Sequence, residues 1–252
     1  MKSLDLTSNG DPYNFQGTSL QQSLRECSFF DLGYVEDYVK VWELQKKLVE
    51  SKLSGKIQDA LIVVEHGHVI TLGRSSHKEN VLLKELPIVE VERGGDATYH
   101  GPGQLVAYPI ISLHERSLGV RQYVELLEDA ISETLKVFGI RDVELKTGKE
   151  TGVWIAGKRK KIASIGIAIS HWVTYHGLAL NVNTDLSYFS HINPCGLESS
   201  IMTSMAKELG TTKVDLLEVK RNLVSSLSRR FRWVLVQADQ SQFQFQVATQ
   251  GV

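Results

Sequence analysis

Short β-rich runs dominate this chain, and their spacing restricts the fold more than any other feature. Most follow one another at hairpin spacing, whereas residues 35–53, 120–138 and 216–231 have the apolar period of a helix. Such a series of strands, with helices interspersed in ones and twos, favours an α+β fold with a mixed sheet over regular βαβ winding. The predicted strands are residues 27–32, 59–65, 69–72, 88–92, 105–111, 142–145, 152–156, 161–169 and 173–182.

The chain shows no internal repeat and no change in composition that would mark a linker. Its 252 residues therefore predict a single domain. Residues 1–24 are polar, have little periodicity and predict a flexible leader. Residues 25–236 are expected to form the folded domain, and the Gln-rich residues 237–252 are expected to form a peripheral tail.

Charge and cysteine usage exclude several classes of protein. A formal net charge of -1 argues against a general nucleic-acid or membrane-surface binder. No apolar run approaches the roughly 20 residues that a membrane span requires. The first residues include Asp5 and Asp11 and lack an apolar core, so they are not a secretory signal. Cys27 and Cys195 are far apart and form no CxxC motif, which predicts a reducing, cytoplasmic location.

The segment from Arg93 to Gln104 is rich in glycine and lies between two predicted strands. Glycine lets the backbone adopt positive φ and approach a bound group closely. A long hairpin turn is the simplest interpretation, but Thr98, Tyr99 and His100 add more polar side chains than a turn needs. The segment has neither a Walker Gly-Lys-Ser/Thr nor a GxGxxG that opens a helix. We therefore predict a cradle in which a carbonyl or an acyl chain lies against bare backbone.

Cys195 lies in Asn193-Pro-Cys-Gly196, where proline and glycine predict an exposed loop or helix start. Free cysteines are usually buried, which suits Cys27 inside its apolar strand. A lysine beside Cys195 would stabilise the reactive thiolate, and Lys161 is the candidate. The alternative for Lys161 is a solvated side chain in the basic cluster 158–161, and spacing alone favours that alternative.

A lysine is sufficient to activate such a thiol. At the usual pKa of about 8.5, only a few per cent of a thiol is ionised at neutral pH. Lowering the pKa to about 7 requires about 2 kcal/mol. An ammonium group about 4 Å away, at an effective dielectric constant near 20, supplies about 4 kcal/mol. Once the thiol is acylated, the same lysine can act as a general base or acid towards an amine.

The histidines near Cys195 leave other interpretations open. His171, His176, His191 and Cys195 match no standard zinc-ligand spacing, so no metal site is predicted. A Cys–His dyad with His176 or His191 would need an orienting Asn or Asp that the sequence does not place. His176 can equally be a hydrogen-bonded strand residue, and Gly177 beside it suggests a close backbone approach.

Together these segments resemble the lipoyl(octanoyl) transferase family over residues 27–231. The motifs that carry the resemblance are Thr71-Leu-Gly-Arg74, Arg93-Gly-Gly-Asp-Ala-Thr-Tyr-His-Gly-Pro-Gly-Gln-Leu105, Lys161-Ile-Ala-Ser-Ile-Gly166, and His176-Gly-Leu-Ala-Leu-Asn181 leading to Asn193-Pro-Cys-Gly196. Members of this family transfer an octanoyl group from acyl carrier protein to a lysine of a lipoyl domain. Their fold is similar to that of biotin and lipoate protein ligases, which implies a mixed sheet flanked by helices.

The resemblance also implies roles for individual residues and partners. Cys195 corresponds to the acyl-thioester nucleophile, and Lys161 to the residue that lowers its pKa. The implied donor is octanoyl-acyl carrier protein, and the implied acceptors are the lipoyl domains of 2-oxoacid dehydrogenases and the glycine cleavage H protein. No cofactor, metal, nucleic acid or membrane is implied. The implied substrate-binding residues are Arg93, Gly94, Gly95, Asp96, Ala97, Thr98, Tyr99, His100, Ser164, Ile165, Gly166, Gly177, Leu178 and Ala179.

Several alternatives remain at this point. An ATP-dependent lipoate-protein ligase shares the fold but does not need a catalytic cysteine. A non-catalytic binder of carrier proteins or lipoyl domains would keep the binding surface but would not transfer the acyl group. A Cys-dependent hydrolase would use water in place of the acceptor amine. Acyl carrier proteins are acidic, so Arg159, Lys160 and Arg74 are predicted to steer docking in the transferase.

Overall fold

The structure is a computed structural model that describes residues 24–83, 85–193, 199–239 and 241. Almost all of the predicted leader, most of the predicted tail and the predicted nucleophile Cys195 lie outside these residues. In chain order the elements are β1 (Arg25–Val35), α1 (Tyr38–Leu53), β2 (Asp59–His66), β3 (Val69–Leu72), β4 (Ile88–Glu90), β5 (Ala97–His100), β6 (Gln104–Ile110), α2 (Val120–Val137), β7 (Val143–Lys146), β8 (Gly152–Ile155), β9 (Lys160–Ser170), β10 (Val173–Asn181), α3 (Met205–Glu208), α4 (Leu216–Phe231) and β11 (Trp233–Gln237).

The described strands form two sheets. The larger is eight-stranded, in the order β11-β1-β2-β6-β10-β9-β8-β7, and the smaller is three-stranded, in the order β4-β3-β5. Strand β1 is parallel to both of its neighbours, whereas neighbours from β2 to β7 are antiparallel. The predicted α+β class with a mixed sheet flanked by helices is therefore confirmed.

Helices cover both faces of the large sheet. Helices α2 and α4 pack on one face, where their apolar sides contribute Leu127 and Leu227 to the core. Helix α1 covers the opposite face and packs Leu44 near Ile62 of β2. A third core, which includes Trp154, lies under the small sheet. Burial of each such side chain contributes about 1.5–3 kcal/mol, so these three cores hold the layers together.

The helix boundaries follow their caps. The first helix was predicted from residue 35, but Val35 ends β1 and the helix begins at Tyr38. Asp37 sets this boundary because its carboxylate accepts the Val39 N–H at 3.0 Å. Asp215 caps α4 in the same way, and the helix runs over 216–231 as predicted. No helix among the described residues is long and apolar enough to cross a lipid bilayer.

Two strands were not predicted, and both pair with partners distant in sequence. Strand β5 lies inside the glycine-rich segment and pairs with β3, with His100 opposite Val69. Strand β11 forms an edge of the large sheet beside β1, with Trp233 opposite Arg25. The pattern does not predict β5 because its segment is rich in glycine. It does not predict β11 because the apolar run is short and directly follows a helix.

Candidate active site

The glycine-rich segment lies in the small sheet, so the alternative of a simple hairpin turn is wrong. Residues 97–100 run antiparallel to β3, with Thr98 opposite Thr71. Asp96 fixes the start of this strand, since its carboxylate accepts the Ala97 N–H at 2.7 Å and the side-chain amide of Asn80. Asp96 therefore fixes the conformation of the glycine-rich segment at the start of β5.

Arg93 joins the glycine-rich segment to both sheets. Its guanidinium donates to the Thr71 carbonyl at 2.6 Å and to the Thr71 hydroxyl at 2.9 Å. The next residue, Gly94, donates its N–H to the Ile167 carbonyl of β9 at 2.8 Å. Pairing between β8 and β9 stops at Ser164, so this hydrogen bond attaches the glycine-rich segment to the part of β9 beyond the end of β8.

Two glycines permit close approaches that a side chain would prevent. A Cβ at Gly177 would lie 2.3 Å from the Ala107 carbonyl oxygen, which confirms the predicted close backbone approach. A Cβ at Gly166 would lie 3.1 Å from the Arg93 side chain. The absence of these Cβ atoms lets β6 and Arg93 approach β10 and β9.

A cavity opens where these elements meet. Many of the predicted binding residues surround it, joined by side chains from α1 and β6. Its lining residues are Tyr38, Arg93, Thr98, His100, Tyr108, Ser164, Gly166, His176, Gly177, Leu178 and Ala179. The structure thus brings together predicted residues from segments about 80 positions apart in sequence.

The other predicted binding residues lie around this cavity without lining it. Tyr99 directs its hydroxyl to His68 Nδ1 at 2.8 Å and packs in the third core. Ile165 packs against the core beneath α2 and α4. The Gly95 carbonyl accepts the Ser75 N–H at 3.1 Å. With Gly94, Asp96 and Ala97, these residues support the cavity wall in the structure, and direct binding by them stays a prediction.

Lys161 is buried, with 3% of its surface exposed, so the alternative of a solvated side chain is wrong. Its Nζ atom lies 5.6 Å from the centroid of the Trp154 ring. Its main chain forms a parallel bridge with Met202, and its carbonyl accepts the Thr203 N–H at 2.9 Å. Burial of an ammonium group is costly, which makes Lys161 a candidate for chemistry, unlike the exposed Lys158 of the same cluster.

Cys195 falls in residues 194–198, outside the described part of the chain. The described residues on either side are held in place. The Asn193 N–H donates to the Asn80 carbonyl at 2.8 Å, and the helical turn Ser199–Ile201 leads into Met202 beside Lys161. The other cysteine, Cys27, is fully buried in β1, which confirms its predicted place in the core. Burial raises the pKa of the Cys27 thiol well above its ordinary value.

His176 has an unusual main chain for a strand residue. Its φ is 55°, in the left-handed region, and its N–H donates to the side-chain oxygen of Gln45 in α1 at 2.7 Å. Its Nε2 atom is buried and has no hydrogen-bond partner among the described residues. A strained residue with an orphaned polar atom in a cavity wall is typical of a functional site.

The buried imidazoles are neutral at physiological pH. Burial, with the Arg93 guanidinium and His100 nearby, lowers the pKa of His176 from 6.5 to about 3. Burial also lowers the pKa of His100 to about 4, partly offset by a hydrogen bond to Gln104. The Glu92 carboxylate lies 3.8 Å from His176 Nε2, but the lowered pKa means that this contact is not an ion pair at pH 7.

Sequence reasoning missed three aromatic side chains at this site. Tyr38 and Tyr108 line the cavity, and the Tyr108 hydroxyl lies 2.9 Å from His66 Nε2. Trp154 lies beside Lys161. Both tyrosines fall in segments, residues 35–53 and 105–111, that the apolar pattern predicts only as a helix and a strand. The tyrosine hydroxyl is the sequence signal that could have identified both residues, because a buried tyrosine hydroxyl needs a polar partner.

The described side chains include no group of three or more His, Cys, Asp or Glu residues that could hold a metal ion. The cavity instead offers a buried cation at Arg93, neutral imidazoles and bare main chain at Gly166 and Gly177. Lys161 adds a buried amine on a residue whose main chain pairs with Met202, which follows the 194–198 segment in the sequence. Such a site suits group transfer to or from a carbonyl carbon, with a lysine as the acid–base group.

Comparisons with known proteins agree with this chemistry. The model of the lipoyl protein ligase A/B catalytic domain family matches residues 37–228. The chain is 47% identical over 207 residues to a protein of Pyrobaculum arsenaticum named "Probable octanoyltransferase", covering 81% of this chain and 93% of that protein. It is 45% identical over 201 residues to the octanoyltransferase of Bacteroides fragilis, covering 74% of this chain and 90% of that one.

A solved structure shares the fold. Lipoate-protein ligase A bound with ATP superposes with a TM-score of 0.65, covering 89% of this chain and 97% of that chain. The identity is only 16%, so this likeness shows the fold alone. The predicted architecture of a lipoate-ligase-like domain is confirmed.

Proposed function

The chain belongs to the octanoyltransferase family of lipoyl protein ligase A/B catalytic domains, and from this premise we propose that it transfers octanoyl or lipoyl groups to protein lysines. The donor is an acyl thioester of acyl carrier protein, and the acceptor is the ε-amine of a lipoyl-domain lysine. The observation that carries the proposal is the 47% identity that spans 93% of a relative named as an octanoyltransferase. The buried Lys161, which pairs with Met202 just after the 194–198 segment in the sequence, supports it.

In the first step the Cys195 thiolate attacks the carbonyl carbon of the donor thioester. A bond from carbon to Cys195 sulfur forms, the bond from carbon to the carrier sulfur breaks, and the carrier sulfur leaves with a proton from the Lys161 ammonium. The ammonium group stabilises the thiolate before attack. Within 164–166, a main-chain N–H group that faces away from β10, beyond the end of β8 pairing at Ser164, is proposed to stabilise the oxyanion.

In the second step the acceptor amine attacks the acyl-enzyme. The carbon–nitrogen bond forms, the carbon–sulfur bond to Cys195 breaks, and the neutral Lys161 amine takes the proton from nitrogen. This restores the thiolate beside an ammonium group. Exchange of a thioester for a thioester is nearly balanced and amide formation runs downhill, so the reaction requires no nucleotide.

The cavity is the proposed site of the acyl chain. Burial of an octanoyl tail at about 0.8 kcal/mol per methylene offers on the order of 5 kcal/mol, enough to select medium chains by length. The bare main chain at Gly166 and Gly177 and the apolar side of Leu178 suit such a tail. The cytoplasmic location predicted from cysteine usage is kept as part of this proposal.

Docking of an acidic carrier is proposed at the basic residues near Lys161. Arg159 lies exposed in the turn before β9, and Arg74 is also exposed. Lys160 is half-buried. Arg159→Glu is therefore expected to raise the KM for the carrier and to reduce its salt sensitivity, because rim charges mainly affect encounter. An unchanged salt dependence would refute this docking site.

Intact-mass measurement after mixing with octanoyl carrier tests the central proposal. Without nucleotide, the protein is expected to gain the mass of one octanoyl group, and addition of a lipoyl domain is expected to remove it. Cys195→Ala should show no adduct. The matched control is Cys27→Ala, which should still be acylated because Cys27 is buried in β1.

The same experiment separates the alternatives. Modification of the lipoyl domain by free acid and ATP, without any adduct on the protein, would favour the ligase. Loss of the adduct to water without an acceptor would favour the hydrolase. Binding of the carrier with no adduct at all would favour a non-catalytic binder.

A further inference from the structure

A series of buried hydrogen bonds connects the cavity to the main chain of Lys161. His100 Nδ1 lies 2.7 Å from the side-chain oxygen of Gln104, whose amide nitrogen donates to the Asn181 side-chain oxygen at 2.9 Å. The Asn181 amide nitrogen donates to the Thr203 carbonyl at 3.0 Å, and the Thr203 N–H donates to the Lys161 carbonyl at 2.9 Å. Neither Gln104 nor Asn181 is more than 2% exposed.

The direction of these hydrogen bonds is fixed from one end. A carbonyl only accepts, so the nitrogen of the Asn181 side chain must face Thr203 and its oxygen must face Gln104. The Gln104 amide nitrogen must then face Asn181, and it also donates to the Tyr99 carbonyl at 3.2 Å. Its oxygen is left to face His100, where it can only accept. His100 therefore carries its proton on Nδ1.

The second ring nitrogen of His100 follows from the first. Burial lowers the pKa of His100 to about 4, so the ring carries a single proton at pH 7. With that proton on Nδ1, Nε2 has a lone pair and acts as an acceptor. The ring lines the cavity and stacks on Tyr38 with centroids 6.0 Å apart and planes 10° from parallel. Position and tautomer are thus both set.

We propose that Gln104 and Asn181 are positioning residues that hold His100 as its Nδ1–H tautomer, so that Nε2 accepts a hydrogen bond from the attacking amine of the acceptor lysine. This rests on the proposed transfer reaction. The hydrogen bond orients the nitrogen lone pair towards the acyl carbon and moves no proton. The same two side chains anchor Thr203, which in turn holds the main chain of Lys161.

The tautomer is measured directly by nitrogen-15 NMR of the imidazole rings, with His100→Asn used to assign the signal. In the full-length protein between pH 6 and 8, the His100 ring is expected to show a protonated Nδ1 and an unprotonated Nε2. This readout does not depend on catalysis, so it holds even if the proposed reaction is wrong. A protonated Nε2 would overturn the proposal without any variant.

Kinetics test the role in transfer. In Gln104→Leu, the Nδ1–H loses its acceptor, and aminolysis of the acyl-enzyme is expected to slow about tenfold, the effect of one lost hydrogen bond. Formation of the acyl-enzyme should slow less than aminolysis, because Asn181 still anchors Thr203 beside Lys161. Gln104→Glu keeps an acceptor oxygen for the Nδ1–H and should restore the tautomer, but its second oxygen faces the Asn181 and Tyr99 oxygens, so the aminolysis rate should recover only in part.

Two results would refute the role in transfer. One is a Gln104→Leu protein with a changed tautomer but an unchanged aminolysis rate. The other is equal slowing of acylation and aminolysis, which would indicate only a structural effect. If Gln104→Leu does not fold, Gln104→Met serves in its place, because it also removes the acceptor of the Nδ1–H while keeping a flexible side chain of similar length.

Discussion

Strand β2 has a buried polar cluster at each end, and the two clusters differ in kind. At the start, Asp59 is fully buried with Arg116 and Lys52, which we call the charge cluster. At the end, His66 is fully buried near His100 and His176, which we call the imidazole cluster. At about 3.3 Å per residue, roughly 23 Å separates the ends of this eight-residue strand.

The charge cluster compensates its own charges. One Asp59 oxygen accepts from the Arg116 guanidinium and from the Trp233 indole N–H at 2.8 Å. The other lies 3.6 Å from Lys52 Nζ, which also contacts Glu115 at 2.7 Å. These contacts join β2, α1 and β11 to the segment before α2. The cluster therefore holds the fold together and has no unbalanced charge to offer a substrate.

The imidazole cluster is neutral and incompletely bonded. Among the described residues, His66 Nδ1 and His176 Nε2 are buried without hydrogen-bond partners. Each buried polar atom without a hydrogen-bond partner lowers the free energy of unfolding by about 1–3 kcal/mol. Within the described part of the chain, the charge cluster also has buried atoms without hydrogen-bond partners, Asp59 Oδ1 and Arg116 Nε, but its groups are joined by ion pairs. The comparison teaches that charge in this core is balanced by opposite charge, whereas the unpartnered imidazole nitrogens have no such compensation and lie near the cavity, where a substrate supplies contacts.

The largest expected effect separates chemistry from stability. Lys161→Met should lower transferase activity by about 10³-fold, since it removes the proposed acid–base group. The free energy of unfolding should fall by only about 2 kcal/mol, because methionine keeps the buried apolar stem and loses the polar contacts of the ammonium group. Steady-state kinetics and urea unfolding measure the two effects. Lys158→Met, at the exposed neighbour, is the matched control and should keep activity.

The reverse pattern is expected in the charge cluster at the start of β2. Asp59→Asn should lower the free energy of unfolding by about 3 kcal/mol, because Arg116 and Lys52 stay buried with less compensation. The kcat of the remaining folded protein should be unchanged. Urea unfolding followed by kinetics below the transition provides the measurement. A large fall in kcat with little change in stability would contradict the assignment of separate roles.

The imidazole cluster should appear in the pH dependence of stability. Below pH 6.5 the unfolded histidines bind protons, whereas His100 and His176 stay neutral down to their pKa values of about 4 and about 3. The free energy of unfolding should therefore fall as pH falls from 6.5, by up to about 1.4 kcal/mol per pH unit per ring. Above pH 6.5 these rings should contribute no slope.

Substitution of His176 tests whether the buried histidines cause this pH dependence of stability. His176→Asn should reduce the slope between pH 6 and 4.5 by about one proton in urea unfolding, and asparagine tolerates the left-handed backbone at this position. His171→Asn is the matched control, because His171 also has a left-handed backbone, with φ of 48°, but its ring is exposed. Equal slopes for wild type and His176→Asn would be the contrary result.

The smallest effect is expected at a tyrosine hydroxyl beside the imidazole cluster. Tyr108→Phe removes the hydroxyl 2.9 Å from His66 Nε2 and should cost about 1 kcal/mol of stability. Activity should fall only a few-fold, because the cavity keeps its shape. A change of more than tenfold in kcat would mean that the Tyr108 hydroxyl acts on substrate.

The sequence predicted the elements whose signal is local. Helix 216–231 was found at both ends because Asp215 caps it and its apolar period is regular. Cys27 was placed in the core because its strand is continuously apolar. The burial of Lys161 was not predictable, since its neighbours at 158–160 suggest a solvated turn. It depends on pairing with Met202, a contact across 41 positions.

The sequence predicted which segments form the site, but only the fold shows which of their residues line the cavity. Motifs brought Arg93, His100 and Gly177 to attention, and the structure lines one cavity with them. No sequence signal separates Thr98, which lines the cavity, from Tyr99, which packs beneath it. That distinction follows from the alternation of β5, and glycine content had concealed the strand.

The bond between Gln45 and His176 makes helix α1 part of the pocket. Pairing of β10 with β6 runs from Asn181 only as far as Leu178, and at His176 an amide group from the covering helix takes the place of a neighbouring strand. Anyone redesigning acyl-chain preference should therefore treat position 45 as a tuning site. A shorter side chain at position 45 would remove the hydrogen bond to the His176 N–H, so the backbone of β10 could relax and change the shape of the cavity that holds the acyl tail.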